Sequence, residues 1–310
     1  MLYEHGGNVW SSNQKTGIAP QKIFDFSANL NPLGPPAGVL KLLKEKINFI
    51  RFYPEPNAKS FRSAVATKLE LSSEQVIVGN GASELISLFF WVFRPKKVLI
   101  PAPAYSDYTR ASRSAGAKVK YFFFNPGDHF ASSLDAIADE VISRRPDAFV
   151  FCNPNNPTGV FWEDVSPLLK ASALKGIPFL LDVSFLPFAD VDWRSWLKQD
   201  DFIPFWRDEG TDKSFLFLVF SLTKIYALPG LRLGIGIGSP SLISKMEAAK
   251  DPWSVNSLAQ LAGLQCLQEQ LYLAKSLEIV RKEREYLHRS LNRLPGLRPF
   301  GSRANFLLVN

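Results

Sequence analysis

Cysteine and histidine are scarce in this chain, with two and three among 310 residues. Cys152 and Cys266 stand far apart, and neither has a second cysteine or a histidine at ligand spacing. That argues against a disulfide framework and fits a reducing compartment. His5, His129 and His288 are too few and too scattered to suggest a zinc centre, so no metal is expected. The N-terminus has no continuous apolar segment of signal-peptide length, and nothing approaches a membrane span. The expected location is the cytoplasm, with no membrane partner. Like charges never gather into a block. The 36 basic and 29 acidic residues leave a net +7 that is spread thinly. Such an excess suits anionic small molecules as well as nucleic acid and decides little. No nucleic-acid motif, internal repeat or low-complexity tract accompanies it.

Hydrophobic residues supply 46% of the chain and charged ones 21%, the balance of a soluble globular protein. The length suffices for one large domain and a smaller one, and 25 phenylalanines predict an aromatic core. Residues 1–35 read as an irregular arm rich in Asn, Pro and Gly, anchored on a core by Ile23, Phe24 and Phe26. Helices are expected near 37–49 and 59–70. Strands then alternate with helices: strands at 76–78, 98–100, 119–124, 148–152, 178–181, 215–220 and 233–237, helices at 84–93, 105–115, 134–143, 163–174 and 242–249. This order predicts an α/β fold, a mostly parallel sheet wrapped by helices. Residues 184–213 read as a loop-rich excursion. A long helical tract over 257–294 and a strand-like 304–309 close the chain. The expected division is an arm (1–35) belonging to a smaller α+β domain, a large domain (36–250) and a small C-terminal domain (251–310).

Open α/β sheets bind ligands outside the carboxyl ends of their strands, and several strand ends here carry polar residues. Strand 215–220 runs into Ser221-Leu222-Thr223-Lys224, with Arg232 eight residues on. A lysine just past a buried strand is partly desolvated, which favours its neutral, nucleophilic form. Ser221, Thr223 and Arg232 are suited to holding a dianion. An amine for a Schiff base beside an anion clamp is what an aldehyde cofactor with a phosphate tail requires. A lone Ser-x-Thr-Lys is more simply a surface loop, so the reading draws its weight from the other strand ends.

At the first of these, Gly79-Asn80-Gly81-Ala82-Ser83 opens a helix. Gly81 lets a ligand approach the backbone, and the free amides of Ala82 and Ser83 favour an anion. A dinucleotide fingerprint fails there because Glu84 occupies the third glycine position. Tyr105 heads the next helix and could stack on a flat cofactor, or simply pack on a loop. Asn156 lies in the rigid string Asn153 to Gly159, where a fixed amide can donate to a phenolic oxygen. Asp182 ends an aliphatic strand. It would keep a pyridine nitrogen protonated, the plainer alternative being a carboxylate that bonds local amides.

With these residues in view, the chain resembles the aspartate aminotransferase superfamily of pyridoxal-phosphate enzymes, fold type I. Within it the chain looks most like the threonine-phosphate decarboxylases of cobalamin synthesis, relatives of the histidinol-phosphate aminotransferases. The strings that carry the likeness include His5-Gly6-Gly7-Asn8, Asp25 to Gly34, Tyr53-Pro54, Gly79-Asn80-Gly81, Asn153 to Gly159, Ser221 to Gly234, Pro252-Trp253-Ser254-Val255-Asn256 and Arg303-Ala304-Asn305-Phe306. The resemblance implies pyridoxal 5'-phosphate bound by the large domain, Lys224 as the Schiff-base lysine and Asp182 as partner of the pyridine nitrogen. It implies Asn156 at the ring oxygen, Tyr105 stacked on the ring, and the phosphate held by Ala82, Ser83, Ser221, Thr223 and Arg232. Tyr53 would reach the phosphate from a neighbouring subunit, which requires a homodimer. His5 and Asn29 would lie near the phosphate of a small phosphorylated amino-acid substrate.

Two departures qualify the likeness. Many relatives have a tyrosine three residues after the aspartate, where this chain has Phe185. The family also continues past the position of Asn310 into a stretch carrying substrate-binding arginines, so the small domain reads as truncated. The expected reaction is decarboxylation of L-threonine O-3-phosphate to (R)-1-amino-2-propanol O-2-phosphate. Its rivals are a histidinol-phosphate-type aminotransferase and a cofactor-binding relative without turnover.

Overall fold

The computed structural model describes residues 6–197, 202 and 216–310. Seven strands form one sheet: β1 (Val76–Asn80), β2 (Lys97–Ala102), β3 (Lys118–Phe123), β4 (Ala148–Cys152), β5 (Phe179–Asp182), β6 (Leu216–Ser221) and β7 (Leu233–Ile237), in the order β1-β7-β6-β5-β4-β2-β3. Neighbours from β6 across to β3 are parallel, whereas β7 runs antiparallel to both β1 and β6. Parallel strands need crossover connections, and their helices cover both faces of the sheet.

Alternate residues therefore enter different cores. Val76, Val78, Phe149, Phe151, Phe179, Leu181, Leu216 and Leu218 belong to one buried cluster. Ile77, Val150, Leu180, Phe217 and Val219 belong to the other, which the helix Ala82–Phe93 closes with Leu85, Ile86, Phe89 and Phe90. The expected aromatic core is present: Phe61, Phe89, Phe90, Phe149, Phe179, Phe188, Phe202 and Phe217 are fully buried. Each such ring contributes about 1.5–3 kcal/mol of transfer free energy. A third cluster joins Ile225, Tyr226 and Leu228, just after Lys224, to Ala262, Cys266 and Val280 of the C-terminal helices.

Several local expectations are corrected. The N-terminal arm is not wholly irregular. Val9–Thr16 is a helix, capped by Asn8, whose side chain accepts from the Ser11 amide at 3.1 Å. Phe24 and Phe26 do not anchor it, being 91% and 98% exposed. The tract 257–294 is two helices, Ser257–Cys266 and Gln270–Leu291, because the chain turns at 267–269. The strand expected at 304–309 reduces to one antiparallel bridge between Pro299 and Val309. The helix expected from 163 starts at Ser166, where the Asp164 carboxylate accepts the Ser166 amide at 2.7 Å. Of the 184–213 excursion, residues 198–201 and 203–213 lie outside the described residues.

Register sets which strand ends meet. Cys152 lies opposite Asp182, and Asp182 opposite Val219. Gly234 of β7 faces Gly79 on one side and Ser221 on the other. The antiparallel β7 thus begins at the edge where β1, β5 and β6 end, and Arg232 sits immediately before it.

Candidate active site

Asp182 is a buried carboxylate at this edge, at 4% exposure. The Tyr108 hydroxyl donates to its Oδ2 at 2.7 Å, and the Ser184 amide donates to its Oδ1 at 2.9 Å. Both donors are neutral. Burial pushes the carboxyl above the usual carboxylate range, against the pull of Ser184, Tyr108 and Lys224. The Ser184 hydroxyl in turn accepts the Ser221 amide at 3.0 Å, and the Asn153 amide donates to the Asp182 carbonyl at 2.9 Å. Three strand ends are therefore tied through one residue.

Lys224 lies on the short helix Leu222–Ile225 that follows β6. Burial and the Arg232 charge lower its pKa below the ordinary lysine value, and Asp182 opposes them. The amine is shifted toward the neutral form that a nucleophile needs. Its backbone is held from behind: the Asn31 amide donates to the Lys224 carbonyl at 3.0 Å, and Asn31 Nδ2 donates to the Ile225 carbonyl at 2.8 Å. Ser221 and Thr223 are buried and share a hydrogen bond of 2.7 Å between their hydroxyls.

Gly81 caps the helix Ala82–Phe93 with φ +78°, and no side chain among the described residues caps that terminus. The left-handed backbone suits glycine, and a Cβ there would collide with the Arg232 guanidinium. At Gly234 a Cβ would come within 2.6 Å of the Ala82 nitrogen. The turn, the helix terminus and Arg232 therefore form one tight cradle with positive potential. Arg232 itself has φ +59°, an uncommon conformation for a side-chain-bearing residue that is often found where function demands it.

Tyr105 immediately precedes the helix Ser106–Ser114, bonds Ser83, and meets the Tyr108 ring edge-on at 5.5 Å. Burial and Asp107 push its phenol up to about 12. The Asn156 loop is rigid: Asn155 Nδ2 donates to Thr158 and, across to the Tyr105 loop, to the Pro103 carbonyl, at 2.9 and 3.0 Å. The half-buried Asn156 side chain makes no hydrogen bond among the described residues.

Lys224, Asp182, Arg232 and Tyr105 thus act electrostatically on one another, with Gly81, Ala82, Ser83, Ser221 and Thr223 beside them. Other expected residues are placed differently. Asn29 is half-buried two residues before Asn31, and the Gly7 amide bonds Ser27 at 2.8 Å, joining the first two strings. His5 lies outside the described residues. Tyr53 is 82% exposed, and its described ring contact is with Trp253 at 5.3 Å. Phe185 is buried with its ring edge-on to Phe306. Sequence reasoning missed Tyr108, Ser184 and Asn31. The three-residue spacing of Tyr105, at the head of its helix, and Tyr108, in the first turn, was the available signal for the first.

The residues fit a phosphate-bearing aldehyde: an amine shifted toward neutrality, a buried carboxylate whose described hydrogen-bond donors are neutral, and a glycine-lined cradle with an arginine across it. The aminotransferase class I and II profile matches residues 21–310, and the chain belongs to that family. It is 36% identical over 309 residues to a Caldanaerobacter subterraneus subsp. tengcongensis protein provisionally named a threonine-phosphate decarboxylase, covering 99% of this chain and 79% of that one. It is 33% identical to the Salmonella typhimurium threonine-phosphate decarboxylase, with 98% and 81% coverage. The fold matches the crystal structure of a histidinol-phosphate aminotransferase from Clostridium acetobutylicum at a TM-score of 0.79 and 28% identity, covering 93% of this chain and 82% of that one.

Proposed function

We propose that this pyridoxal-phosphate-dependent enzyme decarboxylates L-threonine O-3-phosphate, forming (R)-1-amino-2-propanol O-2-phosphate for cobalamin assembly. The observation that carries the choice is identity of 36% and 33% across 99% and 98% of this chain to proteins named for that reaction, against 26–31% for histidinol-phosphate aminotransferases matched over a similar share of the chain. Pyridoxal phosphate, when bound, supplies an electron sink for the bond that breaks at the substrate Cα. The chain's own residues bind and orient. Lys224 would hold the cofactor aldehyde through Nζ. Arg232, Ser221, Thr223 and the amides of Ala82 and Ser83 at the Gly81 turn would hold its phosphate. Asp182 would hold a proton on the ring nitrogen, its carboxylate aimed by Tyr108 and Ser184. Asn156 would donate to the ring oxygen, and Tyr105 would cover the ring face.

Tyr53, exposed on its own subunit, would serve the cofactor phosphate of a neighbouring one, making the working form a homodimer. Asn29, with His5, would face the substrate phosphate. The arm 1–35 and residues 251–310 would form the smaller domain over this edge.

The test is to load the protein with pyridoxal phosphate and supply threonine phosphate, measuring carbon dioxide. In parallel, histidinol phosphate with 2-oxoglutarate is assayed for glutamate. Carbon dioxide release supports the proposal, glutamate alone moves the assignment to transamination, and neither product rejects both.

A further inference from the structure

The string Pro252-Trp253-Ser254-Val255-Asn256 takes no direct part in the proposed chemistry. It nevertheless touches three elements that the cofactor site depends on. The Ser254 hydroxyl donates to Glu84 Oε2 at 3.0 Å, and the same oxygen accepts the Asn80 amide at 2.6 Å. Glu84 therefore ties the strand-to-helix turn, between Gly79 and Ala82, to Ser254. Two residues on, Asn256 Nδ2 donates to the Leu231 carbonyl at 3.1 Å, the peptide group that leads into Arg232. The Pro252 carbonyl accepts the Asn57 amide at 2.8 Å, and the Trp253 ring lies 5.3 Å from Tyr53.

The Asn256 side chain is itself fixed. Its Oδ1 caps the helix Ser257–Cys266 by accepting the Ala259 amide at 2.8 Å, so Nδ2 has only one way to point. Arg232 needs such support because its left-handed backbone is intrinsically unfavourable and persists only where surrounding contacts hold it.

We infer that Pro252–Asn256 is a clamp that positions the phosphate cradle, Ser254 through Glu84 setting the Gly81 turn and Asn256 through the Leu231 carbonyl setting Arg232. This rests on the reading of that cradle as the cofactor-phosphate site. Ser254, Asn256 and Glu84 are positioning residues, since none is placed against the cofactor.

Two substitutions separate this role from general support of the fold. Asn256→Ser keeps a side-chain oxygen for the helix cap, where Ser and Asn are equivalent, and removes the donor to Leu231 without adding a charge beside the cradle. Ser254→Ala removes only the hydroxyl that Glu84 accepts. Binding of pyridoxal phosphate and of phosphate-free pyridoxal to the apoprotein is followed by visible absorbance, alongside thermal melts of the apoprotein. Each variant is expected to bind pyridoxal phosphate about fivefold to tenfold more weakly, the effect of one hydrogen bond. Pyridoxal binding should stay at the wild-type value, while the apoprotein melting temperature falls by no more than the few degrees that one lost hydrogen bond costs. Equal weakening toward both aldehydes overturns the clamp, as does unchanged affinity for pyridoxal phosphate. A wild-type protein that binds neither aldehyde defeats the reading of the site itself, a result distinct from either.

Discussion

Replacing Tyr108 by Phe isolates one bond of the site. The ring is 1% exposed and keeps its shape, so the substitution deletes the 2.7 Å hydrogen bond to Asp182 Oδ2 together with the hydroxyl's weaker interaction with the Cys152 thiol. Asp182 would retain the Ser184 amide on its other oxygen. A hydrogen bond to a charged group contributes about 1.5–3 kcal/mol, and one between neutral groups about 1 kcal/mol. The loss should therefore depend on whether Asp182 is ionised. Its folded pKa is raised by burial, so the stability linked to its protonated form is full below the ordinary carboxylate range and is lost as pH rises through the raised pKa. Deleting a donor to the carboxylate raises that pKa further and deepens the loss. The variant should thus trail wild type by about 1 kcal/mol in acid and by about 1.5–3 kcal/mol above the raised pKa. At about 2 °C per kcal/mol for a chain of this size, the upper figure is a melting shift of about 3–6 °C. Thermal melts of both apoproteins across a pH series measure it. A gap that stays constant with pH, or narrows as pH rises, refutes the account of Asp182 as a buried carboxylate held by Tyr108.

Gly81→Ala should fold yet lose cofactor affinity by about tenfold or more, because its Cβ meets the Arg232 guanidinium in a left-handed backbone. Equilibrium titration with pyridoxal phosphate reads this, and unchanged affinity would remove the turn from the cradle. Lys224→Met should raise the melting temperature of the apoprotein near neutral pH by removing a partly desolvated ammonium. Since the folded pKa of Lys224 is lowered, that penalty is full below the lowered value and is relieved as pH rises toward the ordinary lysine range. The advantage of the methionine should shrink over the same window, and an advantage that grows instead contradicts the burial of the amine.

The sheet was legible in the chain because both of its faces are covered, which leaves uninterrupted apolar runs such as 216–220 and 148–152 that end in polar residues. The lysine and arginine segment, the Gly81 turn and the Asn156 string stood out for the same reason: each follows such a run directly. What could not be read was the wiring behind them. Tyr108 reaches Asp182 across 74 positions, and Asn31 reaches Ile225 across 194. Such partners carry no local signature, because only the strand order makes them neighbours. The arm misled for a related reason. Phe24 and Phe26 look like core residues, yet within one chain they lie open to solvent, and hydrophobicity alone does not say which surface a ring serves.

The reversed seventh strand has a consequence for how this enzyme can vary. Because β7 is zipped between β1 and β6 on both edges, the segment from Ser221 to Leu233 is pinned at its two ends by the same ladder. A change of length that slid β7 by one step would swap the sides of Gly234 and Gly236 with those of Leu233 and Ile235. Bulky side chains would then press on the Ala82 backbone and the Phe217 ring, where now only hydrogen atoms fit. A change of length in this hairpin can therefore be taken up only by the connection that carries lysine and arginine, never by a slide of the strand behind it.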